Sequence, residues 1–237
     1  MITRCGPFDE RSLHVTTSAA RQMLPRSYST SLHYDQTVPA RVRHAMIAVM
    51  GEGTELWLVR HGETEWSRDA RHTSTTDLPL LPQGETAARG LAPRLGEQAF
   101  DLVLTSPRLR ARRTAELAGY PGAIVDGDLA EWAYGAYEGL TTAQIHASVP
   151  DWAIWTHGGL HGESVLDVTA RLDRVIARIR ANGGRVLCFG HGHALRALGA
   201  RWIGQPVALG RSLALDTATI SVLGDDREVP VIVRWNA

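Results

Sequence analysis

The stretch that decides the fold is LWLVRHG, residues 56–62, together with a second stretch of the same kind, VLCFGHG, residues 186–192. Each begins with four apolar residues, as expected of a fully buried strand, and each ends in a histidine followed by glycine. In an open parallel sheet, ligands bind at the carboxyl ends of the strands. The two stretches therefore predict one site with two imidazoles, His61 and His191, drawn from distant parts of the sequence. Such a site suits phosphoryl chemistry.

Strand and helix patterns alternate around these two stretches, which predicts an α/β fold. The expected architecture is a three-layer αβα sandwich with a mostly parallel central sheet. Thr141 is expected to cap a short helix that ends near Pro150. The other predicted elements are strands over 54–59, 101–105, 123–125 and 185–189, helices over 82–98, 107–119, 163–181 and 193–203, and a hairpin or two edge strands over 218–223 and 229–235. The helix over 163–181 carries an apolar stripe, formed by Val165, Val168, Leu172, Val175, Ile176 and Ile179. Its arginines lie mainly off that stripe and are expected on a solvent-facing surface: Arg171, Arg174, Arg178 and Arg180.

Residues 1–53 differ from the rest, since they are rich in arginine and serine and carry no sustained apolar period. We expect a disordered N-terminal extension followed by a catalytic domain over 54–237. The composition also resembles an organelle transit peptide, which stays as the alternative.

Composition narrows the function further. The chain has 237 residues and a formal net charge of zero, and all 25 of its basic residues are arginine. The overall charge offers no attraction to nucleic acid or to an anionic membrane, and no mechanism that needs lysine is available. Cys5 and Cys188 are the two cysteines, one in the extension and one in a strand pattern, so we expect a reduced, cytoplasmic protein without a structural disulfide.

Arg60 and His61 are candidates for phosphoryl transfer. Gly62 allows a ligand to approach the backbone, and the arginine fork matches phosphate oxygens. A histidine fixed there presents a neutral ring nitrogen to an electrophile. Arg110 follows a strand-to-helix junction and is expected to point at the same edge, with Ser106 capping its helix; the remaining arginines of SPRLRARR (106–113) fit a solvent-facing surface.

A departing alkoxide needs a proton, and the segment LAEWAYGAYEG (129–139) offers carboxylic acids among aromatic residues. Glu131 is our choice for this role over Glu138, which is expected to cap or pair locally. The spacing of His191 and His193 also fits half of a zinc site, but the sequence shows no cluster of further ligands. We therefore expect neither a metal nor another cofactor.

Together these motifs resemble the histidine phosphatase superfamily, also called the phosphoglycerate mutase-like family. The match runs from about residue 54 to the end of the chain, in the family's order and at its usual separations. It rests on LVRHGETEWS (58–67), LTSPRLRARRTAEL (104–117), LAEWAYGAYEGLT (129–141), HGES (161–164) and FGHGHALRAL (189–198).

The resemblance implies a phosphoglycerate mutase-like fold and a metal-independent phosphatase that works through a phosphohistidine. It implies that His61 is the nucleophile and that Arg60, Arg110 and His191 hold the phosphoryl oxygens. Glu131 is then the general acid, which activates water in the hydrolytic step.

Departures from the mutase branch favour a phosphatase. That branch has an arginine where Trp132 stands, and a carboxylate clamp of lysine and paired arginines. The chain looks more like the acid phosphatase and sedoheptulose-bisphosphatase-like branch. Trp132 and Tyr134 are expected to bind substrate, along with Trp152 and Trp155 as roof residues, although core packing explains these aromatic residues equally well.

The resemblance adds Ser67, Thr73, Ser74 and Gly192 as substrate-binding residues. Glu163 either touches the site or serves the first turn of its helix. The expected ligand is a small phosphorylated metabolite, such as a sugar phosphate. The alternatives are a phosphoglycerate mutase and a non-catalytic phosphate-ligand-binding protein; a homodimer is one of the oligomeric states left open.

Overall fold

The two histidine-bearing strands lie side by side at the centre of a six-stranded sheet. A computed structural model describes residues 53–237, so the prediction for the N-terminal extension lies outside the described residues. The strand order is β3-β2-β4-β1-β5-β6. The strands are β1 (Glu55–Arg60), β2 (Leu102–Thr105), β3 (Ile124–Val125), β4 (Arg185–Gly190), β5 (Ile220–Asp226) and β6 (Val229–Arg234).

Strand direction follows the prediction of a mostly parallel sheet. β1, β2, β3 and β4 pair in parallel, whereas β5 runs antiparallel to β1 and forms a hairpin with β6 at the edge. Arg60 lies opposite Gly190 in the register of β1 and β4. The carboxyl ends of both strands therefore open at the same point, as the two sequence stretches predicted.

Helices cover both faces of this sheet. They are α1 (Glu65–Arg68), α2 (Pro82–Arg89), α3 (Ala92–Gly96), α4 (Leu109–Leu117), α5 (Thr142–His146), α6 (Ile154–His157), α7 (Val165–Asn182) and α8 (Gly192–Trp202). Alternate residues of β1 and β4 face opposite layers: Leu56 and Leu58 pack with α7 and α8, whereas Trp57 and Val59 pack with α3 and α4. This is the expected three-layer sandwich.

α7 shows how the sequence determines one of these layers. Ser164 caps it in a reciprocal capping box with Asp167, and Gly183, at a φ of 68°, ends it. Its predicted apolar stripe is buried at Val168, Leu172, Val175 and Ile179.

Three local predictions are wrong. The helix expected over 82–98 is interrupted near Gly90 and forms α2 and α3. α4 begins at Leu109 and has no side-chain cap, so Ser106 does not cap it. Arg171 was expected on a solvent-facing surface of α7, but it is 6% exposed because its guanidinium is paired inside the protein.

The other arginines of α7 do lie near the surface, where they pair with acids: Arg174 and Arg178 bind Asp126 and Asp128, and Arg180 binds Asp225. Across residues 53–237, no helix has the length and apolar character needed to span a membrane.

Candidate active site

His61 and His191 come together where β1 and β4 end. Their ring centroids are 5.2 Å apart, and both side chains are buried. The parallel register fixes this proximity, since each histidine directly follows one residue of the pair Arg60 and Gly190.

The ring of His61 is held in one tautomer. Its Nδ1 lies 2.7 Å from the carbonyl oxygen of Gly62, and because a carbonyl only accepts, Nδ1 carries the hydrogen. The pKa of His61 is well below its ordinary value, first through burial and then through the nearby charges of Arg110 and Arg60. The ring is therefore neutral at physiological pH, with the lone pair on Nε2.

Gly62 is required at this turn because another backbone segment passes very close. A Cβ at Gly62 would lie 2.4 Å from the carbonyl oxygen of Gly84. The amide of Gly62 donates to Oγ1 of Thr114 at 3.0 Å. These contacts fix the position of Gly62, whose carbonyl oxygen orients the ring of His61.

Positive and hydrogen-bonding groups surround His61. Arg110 is fully buried and donates to the carbonyl oxygens of Thr76 and Thr73 at 3.1 and 3.0 Å, and Arg60 donates to the carbonyl oxygen of Leu215. Three nitrogen atoms of these groups are nevertheless buried with no hydrogen-bond partner in the part of the chain that the structure describes. They are Nε of Arg60, Nε of Arg110 and Nδ1 of His191. Three such groups beside one histidine form a cradle suited to a bound anion.

Ser106 has a different role from the predicted one. Its Oγ accepts a hydrogen bond from the amide of Arg108 and lies 2.6 Å from Nε2 of His191. Burial, with the charge of Arg110 next in size, lowers the pKa of His191 well below its ordinary value. A neutral His191 that accepts the Ser106 hydroxyl at Nε2 has its own hydrogen on Nδ1, the atom left free for an anion.

Glu131 lies at the N-terminus of α8. Its carboxylate accepts hydrogen bonds from the amides of Trp132, His193 and Ala194 at 2.8, 3.0 and 2.8 Å. Burial raises the pKa of Glu131, and outweighs these donors and Arg110, which act in the opposite direction. A carboxyl group with a raised pKa is suited to giving up a proton near neutral pH.

A cavity of about 310 Å³ opens above this cluster. Several predicted site residues line it: Arg60, His61, Ser67, Thr73, Glu131, Tyr134 and Gly192. Arg110 and His191 do not line it; both are 0% exposed and lie close to His61.

Ser74 is not on the cavity wall. Its hydroxyl and its amide both bind the carboxylate of Glu138, which also accepts the amide of Thr76. The partners of Glu138 are therefore 62 and 64 residues away in the sequence and not local, and the contacts fix the loop that Arg110 binds. Ser67 lines the cavity and also completes a capping box with Thr64.

The structure does not place Trp132 on the cavity wall. Its side chain is 0% exposed, and its indole N–H donates to the carbonyl oxygen of Glu163 at 3.0 Å. Trp152 and Trp155 are also buried in the core, so none of the three tryptophans forms an open roof.

Six cavity residues were not predicted as catalytic or substrate-binding residues: Ala70, Arg71, His72, Thr142, His193 and Arg196. Nδ1 of His193 lies 2.7 Å from the Tyr134 hydroxyl oxygen. Arg196 is fixed by the carbonyl oxygens of Gly210 and Arg211 and lies over the ring of Trp155. The sequence could have indicated Arg196, because Arg196 follows His193 by one helical turn and lies on the same face of α8.

Among the residues that the structure describes, no group of three or more His, Cys, Asp or Glu side chains is arranged to hold a metal ion. The ionisable side chains that line the cavity are those of Arg60, His61, Arg71, His72, Glu131, Tyr134, His193 and Arg196.

Comparisons with known proteins agree with this geometry. The family model described as "Histidine phosphatase superfamily (branch 1)" matches residues 56–237. The chain is 46% identical over 178 residues to an acid phosphatase of Mycobacterium tuberculosis, covering 73% of this chain and 88% of that protein. It is 39% identical over 187 residues to sedoheptulose 1,7-bisphosphatase of Saccharomyces cerevisiae, covering 63% and 68%. A solved Mycobacterium tuberculosis structure superposes with a TM-score of 0.73 at 43% identity, covering 77% of this chain and 96% of the other.

Proposed function

The chain belongs to the histidine phosphatase superfamily, and from this premise we propose that it hydrolyses small phosphomonoesters without a metal ion, through a phosphohistidine at His61. One observation carries the assignment of the nucleophile. His61 is a neutral imidazole whose Nδ1 is bound to a carbonyl, and it lies among three buried N–H groups without a partner in the described chain.

In the first step, Nε2 of His61 attacks phosphorus, the P–N bond forms and the ester P–O bond breaks. Arg60, Arg110 and Nδ1 of His191 bind the non-bridging oxygens and stabilise the charge that moves onto them. Cationic side chains thus supply the electrostatic stabilisation that a metal ion gives in other phosphatases.

Glu131 has a role in both steps. As a protonated acid it gives its proton to the ester oxygen as that oxygen leaves. The resulting carboxylate then takes a proton from water, the water oxygen attacks phosphorus and the P–N bond breaks. This releases inorganic phosphate and restores neutral His61 and protonated Glu131. The raised pKa of Glu131 supports the first role.

The substrate class follows from the cavity and the relatives. A cavity of about 310 Å³ accommodates a small molecule and not a folded protein partner. We propose a small phosphorylated metabolite such as a sugar phosphate, in keeping with the relative named as a sedoheptulose bisphosphatase. We further propose that residues 54–237 form the catalytic domain and that the protein works in the cytoplasm, since Cys188 is a buried free thiol.

A phosphoglycerate mutase is the second candidate, and one observation favours it. The sequence indicated no carboxylate clamp, but Arg71 and Arg196 both line the cavity. Two guanidinium groups there can hold a second anionic group, such as the carboxylate of phosphoglycerate. Hydrolysis is favoured because the relatives of higher identity are named as phosphatases.

Trapping the intermediate tests the proposal. Enzyme quenched in base after mixing with labelled aryl phosphate is expected to carry label that is lost in acid, the stability pattern of a phosphohistidine. His61→Ala should keep its circular dichroism spectrum and lose both label and turnover, whereas His157→Ala, at an exposed histidine, should keep both. Full activity in His61→Ala would remove His61 from this role. Efficient interconversion of phosphoglycerates with a bisphosphate primer would favour the mutase.

A further inference from the structure

The loop that carries Glu131 is clasped by a second segment, residues 158–163. The amide of Glu163 donates to the carbonyl oxygen of Ala133 at 2.9 Å, and the amide of Ala136 donates to the carbonyl oxygen of Leu160 at 2.7 Å. The two backbones touch directly, since a Cβ at Gly162 would lie 2.0 Å from the oxygen of Ala133.

The Glu163 side chain fastens the same loop. Its Oε2 accepts the amide hydrogen of Ala133 at 2.8 Å, and its backbone carbonyl accepts the indole N–H of Trp132 at 3.0 Å. Glu163 is thus hydrogen-bonded to both residues that follow Glu131. It does not line the cavity, and it precedes α7 instead of serving its first turn.

Arg171 completes the attachment from within α7. Its guanidinium binds both carboxylate oxygens of Glu163, with Nε to Oε1 at 2.6 Å and Nη2 to Oε2 at 3.0 Å. The remaining nitrogen, Nη1, donates to the carbonyl oxygen of Asp128 at 2.8 Å. Asp128 precedes Glu131 by three residues and Ala133 follows it by two, so one guanidinium joins the two sides of the loop.

These contacts bear on the proposed chemistry because proton transfer needs the carboxyl group within hydrogen-bonding distance of the leaving oxygen. The carboxylate end of Glu131 is held by the amides of α8. Its backbone is held by the pair of Glu163 and Arg171, whose side chains are 24% and 8% exposed. A shielded bidentate pair keeps one geometry, in contrast to an exposed one.

We propose that Glu163 and Arg171 are positioning residues for Glu131, fixing the distance over which it delivers its proton to the leaving group. This inference rests on the proposed function, in which Glu131 is the general acid. If the pair only stabilised the fold, its removal would lower the phosphorylation rate equally for all substrates. If the pair positions the acid, its removal lowers the rate most for substrates whose leaving groups need a proton.

The test measures the rate of enzyme phosphorylation in single turnovers with two substrates. 2,4-Dinitrophenyl phosphate has a leaving group that departs without a proton, whereas an alkyl phosphate depends on the acid. In Glu163→Gln and Arg171→Met, the rate with the alkyl phosphate should fall about tenfold or more relative to the rate with the dinitrophenyl ester. Measuring phosphorylation alone keeps the later attack by water out of the comparison.

Arg201→Met is the matched control. Arg201, on α8, makes a bidentate pair with Asp173 of α7, at 2.8 and 3.0 Å, and has no hydrogen bond to the loop that carries Glu131. Its ratio of the two rates should stay at the wild-type value. Equal losses with both substrates in Glu163→Gln and Arg171→Met would overturn the inference, whether the cause is misfolding or lost stability.

Glu131→Gln separates the inference from its premise. In one outcome, Glu131→Gln lowers the phosphorylation rate selectively with the alkyl phosphate and the Glu163 and Arg171 variants do not. The positioning role is then wrong, and the role of Glu131 as general acid stands. If Glu131→Gln itself shows no selective loss, the role of Glu131 fails, and the positioning role fails with it.

Discussion

The hydroxyl oxygen of Tyr134 lies 2.7 Å from Nδ1 of His193, and both residues line the cavity above His61. Burial raises the pKa of Tyr134 well above its ordinary value and lowers that of His193 well below it. The phenol therefore keeps its hydrogen and the imidazole stays uncharged. The hydroxyl can then donate to Nδ1, and the single N–H of the neutral ring is on Nε2.

Removing this hydroxyl should cost stability. Tyr134→Phe leaves a buried ring nitrogen without its donor, for which the free energy of unfolding is expected to fall by about 1–3 kcal/mol. Urea unfolding followed by fluorescence measures the change. Tyr137→Phe is the control, since the Tyr137 ring packs on Trp152 at 5.0 Å and its hydroxyl has no bond among the described contacts. Equal stability of Tyr134→Phe and wild type would show that the pair contributes nothing.

Stability should also fall in mild acid. Burial lowers the pKa of His72 to about 4, against an ordinary value of 6.5. Below pH 6.5, His72 is protonated in the unfolded chain, whereas in the folded protein it is protonated only near pH 4. The free energy of unfolding therefore decreases as the pH falls from about 6.5 to about 4. From about pH 7 to about pH 5, His72 should account for about 2 kcal/mol of the decrease.

Unfolding free energies at the two pH values check this prediction. His72→Gln should show a shallower decrease than wild type, whereas His157→Gln, at an exposed position, should match wild type. An unchanged pH dependence in His72→Gln would assign the acid sensitivity to other groups.

The rate should depend on pH through His61 and Glu131, whose pKa values shift in opposite directions. His61 acts without a proton and its pKa is lowered, so the acid limb of kcat/KM lies well below the ordinary pKa of histidine. Glu131 acts with a proton, so kcat/KM falls as the pH rises through its raised pKa. With an alkyl phosphate, Glu131→Gln should remove the alkaline limb and lower kcat by about 10²–10⁴-fold. A wild-type alkaline limb in that variant would argue against Glu131 as the acid.

Arg196 should select for substrates that carry a second anionic group. It is held by two carbonyl oxygens and the Trp155 ring, so it meets such a group in a fixed orientation. Arg196→Met is expected to raise KM for a sugar bisphosphate about tenfold or more while changing KM for a simple alkyl phosphate little. Arg201→Met serves as the control. Equal changes for both substrates would place the second anionic group elsewhere.

Activity should not depend on the N-terminal extension. The family match begins at residue 56, and every proposed catalytic residue lies between 60 and 191. A chain lacking residues 1–50 is expected to keep its kcat and KM with an aryl phosphate. Loss of turnover in a shortened chain that still melts cooperatively would give the extension a part in catalysis.

Part of this site was predictable, because it depends on the hydrophobic pattern of two strands and on where those strands end in the sheet. The apolar runs before His61 and His191 predicted two buried strands, and the parallel-sheet rule brought their ends together before any distance was known. Glu131 was predictable as a carboxyl group among aromatic residues, where burial raises the pKa.

Other features depend on contacts between distant segments, which no local pattern shows. Arg171 fits a solvent-facing surface by period, yet Glu163 and the carbonyl of Asp128 give it partners in the interior. Trp132 follows Glu131 in sequence, but its indole is buried in the core. Ser106 has the position of a helix cap and instead binds His191, because β2 and β4 are neighbours.

The pairing of β1 with β4 has a consequence for the newly made protein. His61 is synthesised 130 residues before His191. The strands that precede these histidines, β1 and β4, can pair only after the intervening chain has been synthesised. Contacts this distant in sequence form slowly. A chain still emerging from the ribosome thus holds the proposed nucleophile without the second imidazole, and the proposed phosphoryl site is complete only in the final fold.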